Sequence, residues 1–141
     1  MINKVMYSSD KDDWETPQDL FDSISREIGG FDLDVAANED NHKCQAYFTK
    51  ENSAFDNRWF GNVWCNPPYG REIGKWVKRC SEYSGLSVML IPARTDTKWF
   101  HDYIYHNPRA DIKFIKGRLH FNNSINAAPF PSMIVIFRRG I

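Results

Sequence analysis

The densest chemistry in this sequence lies in Asn66-Pro67-Pro68-Tyr69. The four residues follow a run, 61–65, that contains the strand formers Val63 and Trp64. In its plainest reading a double proline after a strand is a stiff turn, because neither residue can donate to a ladder. Asn66 and Tyr69 give the turn a second use. The Asn66 side-chain oxygen and the Pro67 carbonyl are two acceptors on rigid backbone, and proline offers no N–H to compete with them. That pair suits an amino group on a planar ring, whose lone pair is delocalised and which must be held in one orientation to react. The ring of Tyr69 suits stacking on a flipped base. No ionisable general base is evident, and none is required if the proton leaves last.

Three other places carry candidate site residues. Trp14-Glu15-Thr16-Pro17 opens a helix, with Thr16 as an expected cap and Pro17 at the first helical position. The run 31–37 alternates Phe31, Leu33 and Val35 with Asp32 and Asp34; Asp34 is the acid nearer the strand exit, just before Ala36. Arg94 follows the most apolar run, 87–93, where it could meet a phosphate or orient Asp34 or Asn66. Downstream, Lys113, Lys116 and Arg118 form a small basic patch suited to a nucleic-acid backbone, or to a solvated hairpin.

The elements that must position these residues alternate. Helix is expected over 16–28, where Leu20, Phe21, Ile24 and Ile28 form one face before Gly29-Gly30 ends it. Strand is expected over 31–37, then an irregular stretch over 38–58 with at most a short strand or turn near Tyr47. A strand runs into the proline loop over 61–70, and a helix over 72–83 shows Ile73, Trp76, Val77 and Cys80 on one side. The run 87–93 reads as a buried central strand, 95–106 as a helix capped by Thr95 or Asp96, 111–121 as two extended pieces about Gly117, and 131–139 as a closing strand. This order predicts an α/β fold in three layers around a mostly parallel sheet with an antiparallel C-terminal strand pair. Ligands bind such sheets beyond the carboxyl ends of the strands, where Asp34, the proline loop and Arg94 all fall.

Bulk properties narrow the class. The 141 residues suffice for one domain, expected over 14–141 behind a flexible polar lead-in over 1–13. With 42 % hydrophobic and 26 % charged residues the composition is globular. Eighteen basic residues offset eighteen acidic ones, so any phosphate contact must come from local clustering. Cys44, Cys65 and Cys80 form no short-spaced pair, and His42 with Cys44 lacks a second ligand pair, so no metal is expected. No apolar run is long enough to span a bilayer, no signal-like segment opens the chain, and the location expected is cytoplasmic. A dinucleotide-binding glycine motif is missing, which disfavours nicotinamide or flavin chemistry.

Taken in order, WETP, FDLDVAA, GNVWCNPPYG, LIPARTDTKWFH, KGRLHF and APFPSMIVIF resemble the compact phage and prophage DNA N6-adenine methyltransferase family, often labelled Dam-like. The resemblance covers about residues 14–138. It implies a Rossmann-like methyltransferase fold, S-adenosyl-L-methionine as methyl donor, adenine N6 in double-stranded DNA as acceptor, and a phage or prophage gene in a bacterial host. By resemblance, Asn66, Pro67, Pro68 and Tyr69 form the catalytic loop, with Tyr69 also against the base. Trp14, Thr16, Pro17, Asp34 and Ala36 line the cofactor, Asp34 facing its amino or methionine end. Arg94, Lys116 and Arg118 contact DNA. The glycine-rich turn usual after the first strand is replaced here by Ala36-Ala37-Asn38-Glu39. The partner for the cofactor ribose, normally an acid, stays open among Glu39, Asp40, Glu51 and the amide Asn52, and Phe48 or Phe55 could meet the adenine.

The chain has no room for a separate target-recognition domain. The loops at 38–60 and 117–130, a homodimer or a second specificity subunit would have to read sequence. Rival acceptors are cytosine N4, RNA adenine and a protein glutamine amide, whose nitrogens are equally planar. A catalytically silent DNA-binding relative is the remaining alternative.

Overall fold

The computed structural model describes residues 14–140, so the lead-in expected over 1–13 lies outside the described residues. Helix α1 (Gln18–Ile28) forms as its apolar spacing requires, with Phe21 and Ile24 buried. It ends at Gly29, whose φ of 88° lets its N–H turn back to the Ser25 carbonyl. Its start differs from the expectation. Pro17 is extended, with ψ at 133°, and no side chain caps the helix. The Thr16 hydroxyl is engaged elsewhere, with Asn66.

Strand β1 (Leu33–Asp34) is shorter than the alternation suggested. Its ladder stops because Ala36 N–H turns back onto the Asp34 carboxylate, drawing the chain out of the sheet. The outer edge of β1 is covered by the 46–48 segment: Asp34 N–H donates to Ala46, and Phe48 N–H donates to the Asp34 carbonyl. The short strand or turn expected near Tyr47 is therefore a single parallel bridge guarding an exposed edge.

Strands β2 (Val63–Cys65) and β3 (Ser87–Pro92) extend the sheet in parallel, joined by helix α2 (Ile73–Glu82). Successive β2 side chains face opposite sides. Trp64 meets Phe21 of α1 at 5.1 Å, ring edge to face. Cys65 lies against Cys80 of α2 on the other side. The two helices thus cover opposite faces, which supplies the three layers.

The region after Ala93 departs further from the expectation. Helix begins at Lys98, and Phe100 N–H bonds the Thr97 hydroxyl, so Thr97 serves as the cap in place of Thr95 or Asp96. Its turn widens to a π-helix over Phe100–Ile104, closed by Tyr105 N–H onto the Phe100 carbonyl. Strand β4 (Ala110–Phe114) is the other sheet edge; the second extended piece is instead a loop ending in a single 3₁₀ turn, Phe121–Asn123. Strand β5 (Ser132–Phe137) is buried along its whole length.

Sheet order is β1-β2-β3-β5-β4. The β1–β2 and β2–β3 pairings are parallel, whereas β5 is antiparallel to both β3 and β4. The sheet is therefore mixed, which corrects the mostly parallel expectation. The apolar β5 inserts between β3 and β4, where both its faces are covered, and from there it must run against two neighbours. Among the described residues, no helix is long and apolar enough to cross a membrane.

Candidate active site

Strand direction decides which residues meet. The carboxyl ends of β1, β2 and β3 share one sheet edge and deliver Asp34, Asn66 and Arg94 there. Because β5 runs the other way, its amino end, and Phe130 before it, reach the same edge; Pro131 accepts from Ala93 N–H. The loop leaving β4 starts there too, bringing Lys116, Arg118 and Phe121.

A cleft of about 1110 Å³ opens along this edge. It brings together Trp14, Thr16, Asp34, Ala36, Asn66, Pro67 and Pro68 of the sequence-derived candidates. Pro17 and Tyr69 do not line it, nor do Arg94, Lys116 and Arg118. Of the acids considered for a ribose, Glu39, Asp40 and Glu51 border the cleft. Asn52 does not; its side-chain oxygen accepts from Asn57 inside the 49–57 loop. Phe55 forms an apolar wall with Trp76, their rings 4.6 Å apart, while Phe48 stays outside.

Asp34 is 4 % exposed. One carboxylate oxygen accepts from Ala36 N–H at 3.2 Å and the other from Lys43 N–H at 2.9 Å. Burial pushes its pKa above the usual 3.8, opposed by those two N–H groups and by the charges of His42 and Lys43. A carboxylate oxygen has two lone pairs, so each retains acceptor capacity toward a cation in the cleft. Arg94 does not orient Asp34, because backbone N–H groups already do; it is exposed, with its carbonyl accepting from Thr97.

Asn66 sits in a closed set of bonds. Its amide nitrogen donates to the Trp14 carbonyl and, at 2.8 Å, to the Thr16 hydroxyl oxygen. Its oxygen accepts from the Tyr69 hydroxyl at 2.8 Å. Tyr69 is itself buried, and burial holds its phenol well above the ordinary pKa of 10, so it stays protonated and is no base. Its ring lies nearly parallel to that of Trp14, centroids 6.5 Å apart, and edge-on to Phe121 and Phe130. The catalytic loop candidate is thereby roofed by aromatic side chains from three separate parts of the chain.

The 14–16 segment is fastened from the far side by Asn122. Asn122 N–H donates to the Glu15 carbonyl, and its side-chain oxygen accepts from Glu15 N–H. Asn122 has φ of 56°, a left-handed conformation that asparagine tolerates better than most residues. Sequence reasoning missed Asn122, Lys43 and Trp76. Asn122 sits in a polar loop with no spacing signal, Lys43 acts through its main chain, and Trp76 reads as core on a helical face.

The basic patch divides. Lys113 is paired with Glu27 of α1. Lys116 and Arg118 are exposed, one Arg118 nitrogen lying 3.4 Å from the Ala128 carbonyl. His42 turns to the Cys44 carbonyl and stacks on Tyr47; among the described residues no metal-binding cluster is present.

Comparison with known proteins gives the family of the chain. The chain is 34 % identical over 96 residues to a DNA N-6-adenine-methyltransferase of Escherichia phage T1, a match covering 64 % of this chain and 40 % of that relative. It is 30 % identical over 139 residues to a DNA N-6-adenine-methyltransferase of Haemophilus phage HP1 (strain HP1c1), covering 92 % of this chain and 80 % of the relative. A putative methyltransferase, YfdM of Escherichia coli (strain K12), is 38 % identical over 65 residues, covering 41 % of this chain and 71 % of its own. No solved structure matches the chain. The family profile described as DNA N-6-adenine-methyltransferase (Dam) matches residues 4–140. The chain belongs to that family, whose members methylate adenine N6 in DNA using S-adenosylmethionine.

Proposed function

We propose that this chain binds S-adenosylmethionine in the cleft and methylates the N6 amino group of adenine in duplex DNA at the Asn66 end of it. The observation that carries this reading is the adjacency of a buried carboxylate, Asp34, and the Asn66-Pro67-Pro68 turn in one cleft. The residues fit the cofactor. A carboxylate buried at a cost is matched by a cationic ammonium, and Phe55 with Trp76 gives an apolar wall for a flat ring. Glu39, Asp40 and Glu51 are the acids within reach of a ribose.

When bound, the cofactor supplies an electrophilic methyl group. The protein's part is to present the acceptor nitrogen. The Asn66 oxygen and the Pro67 carbonyl accept hydrogen bonds from the two amino hydrogens, which favours a tetrahedral nitrogen and stabilises the positive charge that develops on it. The proton leaves after transfer. A base that stacks on Tyr69 must displace part of the roof formed by the Trp14, Phe121 and Phe130 rings, while the main-chain bonds of the 14–16 segment stay in place. Arg94, Lys116 and Arg118 surround this edge as phosphate contacts. Residues of the 38–60 loop and Asn122 of the 117–130 loop line the cleft, so sequence is read by these loops, or with the help of a second subunit. Three free, buried cysteines suit the reducing cytoplasm of a phage-bearing bacterium.

The test is transfer of a labelled methyl group from S-adenosylmethionine to unmethylated duplex DNA, followed by nucleoside analysis. Label is expected in N6-methyladenine. Label in N4-methylcytosine, in RNA alone or in a glutamine peptide would overturn the acceptor assignment, and no label from cofactor-binding protein would favour a silent relative.

A further inference from the structure

Thr16 is the residue whose observed contact differs most from the role its place beside the cleft would suggest. It is 4 % exposed, it does not cap α1, and its hydroxyl oxygen accepts from Asn66 at 2.8 Å. From this geometry we infer that Thr16 is a positioning residue for Asn66: with the Trp14 carbonyl it fixes which end of the side-chain amide faces the acceptor base. The inference rests on the function proposed above and assigns Thr16 a part in the transfer step as distinct from cofactor binding.

An asparagine amide can be turned end for end at little steric cost, so something must set its direction. Here the Trp14 carbonyl can only accept, which requires the nitrogen of Asn66 to face it. That nitrogen carries two hydrogens, and the second goes to Thr16. Both donors are then used, and only the oxygen is left to meet an incoming amine. Turned the other way, the oxygen would face a carbonyl, and the free nitrogen would present donors to an amine that also needs to donate. The Trp14 contact alone leaves the second N–H without a protein acceptor and lets the amide pivot about the first; Thr16 removes that freedom. The Thr16 hydroxyl still has its own proton, which remains available to the cleft. Trp14 to Thr16 is in turn tied to Asn122 through Glu15, so the lock is anchored from both sides.

Thr16→Val keeps the shape and removes the acceptor; Thr16→Ser keeps the acceptor and loses a methyl group. At saturating S-adenosylmethionine, Thr16→Val is expected to slow methyl transfer by thirtyfold or more, with cofactor affinity by calorimetry within about threefold of the parent. Thr16→Ser should recover transfer to within about threefold. The opposite split, weaker cofactor binding with an unchanged saturated rate, would make Thr16 a cofactor contact and overturn the inference. A direct reading is made on the parent protein, with a variant used for assignment alone. The Asn66 side-chain NH₂ resonances, assigned by their loss in Asn66→Ala, should both be protected from solvent exchange in the parent protein. A rapidly exchanging or freely rotating NH₂ would overturn the lock. This readout requires no methyl transfer, so failure of the functional reading and failure of the lock are told apart.

Discussion

The Tyr69 hydroxyl stands 2.8 Å from the Asn66 side-chain oxygen and 2.8 Å from the Leu90 carbonyl. A phenol has one proton, so it serves one acceptor at a time. With no amine present it can satisfy Asn66; when an amine donates to Asn66, the proton has Leu90 to turn to. The turn over Asn66–Tyr69 and the central strand are joined at this point, because Leu90 belongs to β3.

Tyr69→Phe removes that proton and keeps the ring among Trp14, Phe121 and Phe130. It is expected to cost about 1 kcal/mol of stability and to leave methyl transfer within roughly tenfold of the parent. Tyr69→Ala empties the aromatic roof and should cost about 3–5 kcal/mol, as large-to-small changes at buried aromatics do. Denaturant unfolding of both variants checks the ranking; equal losses would mean the ring contributes nothing beyond its hydroxyl.

Asn66→Ala should abolish transfer while cofactor affinity stays within a few-fold of the parent, since the bonds of Asn66 run to Thr16, Trp14 and Tyr69. Calorimetry with the cofactor beside a labelled-methyl assay separates the two quantities. Turnover near the parent level would remove Asn66 from catalysis.

Asp34→Asn should weaken S-adenosylmethionine binding by tenfold or more, about 1.4 kcal/mol. The pH dependence has a definite sign. Burial raises the Asp34 pKa in the folded protein above 3.8, so the unfolded chain loses its proton first. The stability that Asp34 contributes is thus fullest below that value and is lost as pH rises through the folded pKa. The stability difference, parent minus Asp34→Asn, should shrink as pH rises from about 4. Cofactor affinity runs the other way and falls in the parent as acid neutralises the carboxylate. Urea unfolding and binding titrations at several pH values would show both trends, and a flat difference would mean that Asp34 is not buried as charged.

Asn122→Gly retains the left-handed backbone and loses only the side-chain acceptor for Glu15, costing about 1 kcal/mol. Asn122→Ala loses the acceptor and adds about 1 kcal/mol of backbone strain. If alanine proves no worse than glycine in thermal or urea unfolding, the conformation at 122 is not under strain.

Arg118→Ala should weaken DNA binding by similar factors on all sequences and flatten the dependence of log affinity on log salt by about one unit. Filter binding across a salt series reads this slope. A change confined to one sequence would mean that Arg118 reads bases.

Much of the site was legible because its chemistry is local. Asn66-Pro67-Pro68-Tyr69 states its own acceptors and rigidity, and the alternation over 31–37 puts Asp34 at a strand exit. The apolar spacing of Phe21 and Ile24, and of Val77 and Cys80, fixed the two helical faces. What sequence could not say was which side of the sheet edge each loop would come from. The direction of β5 depends on pairing with both β3 and β4, contacts far apart in the chain, and that direction alone brings Phe130 over Tyr69. Likewise Thr16 carries the signature of a helix cap, yet its hydroxyl, buried beside Asn66 fifty positions away, pairs with that amide instead. Local spacing thus determined which groups are candidates for the site and which elements bear them. Long-range hydrogen bonding and strand order decided how those groups face one another, since no short window of sequence contains both partners.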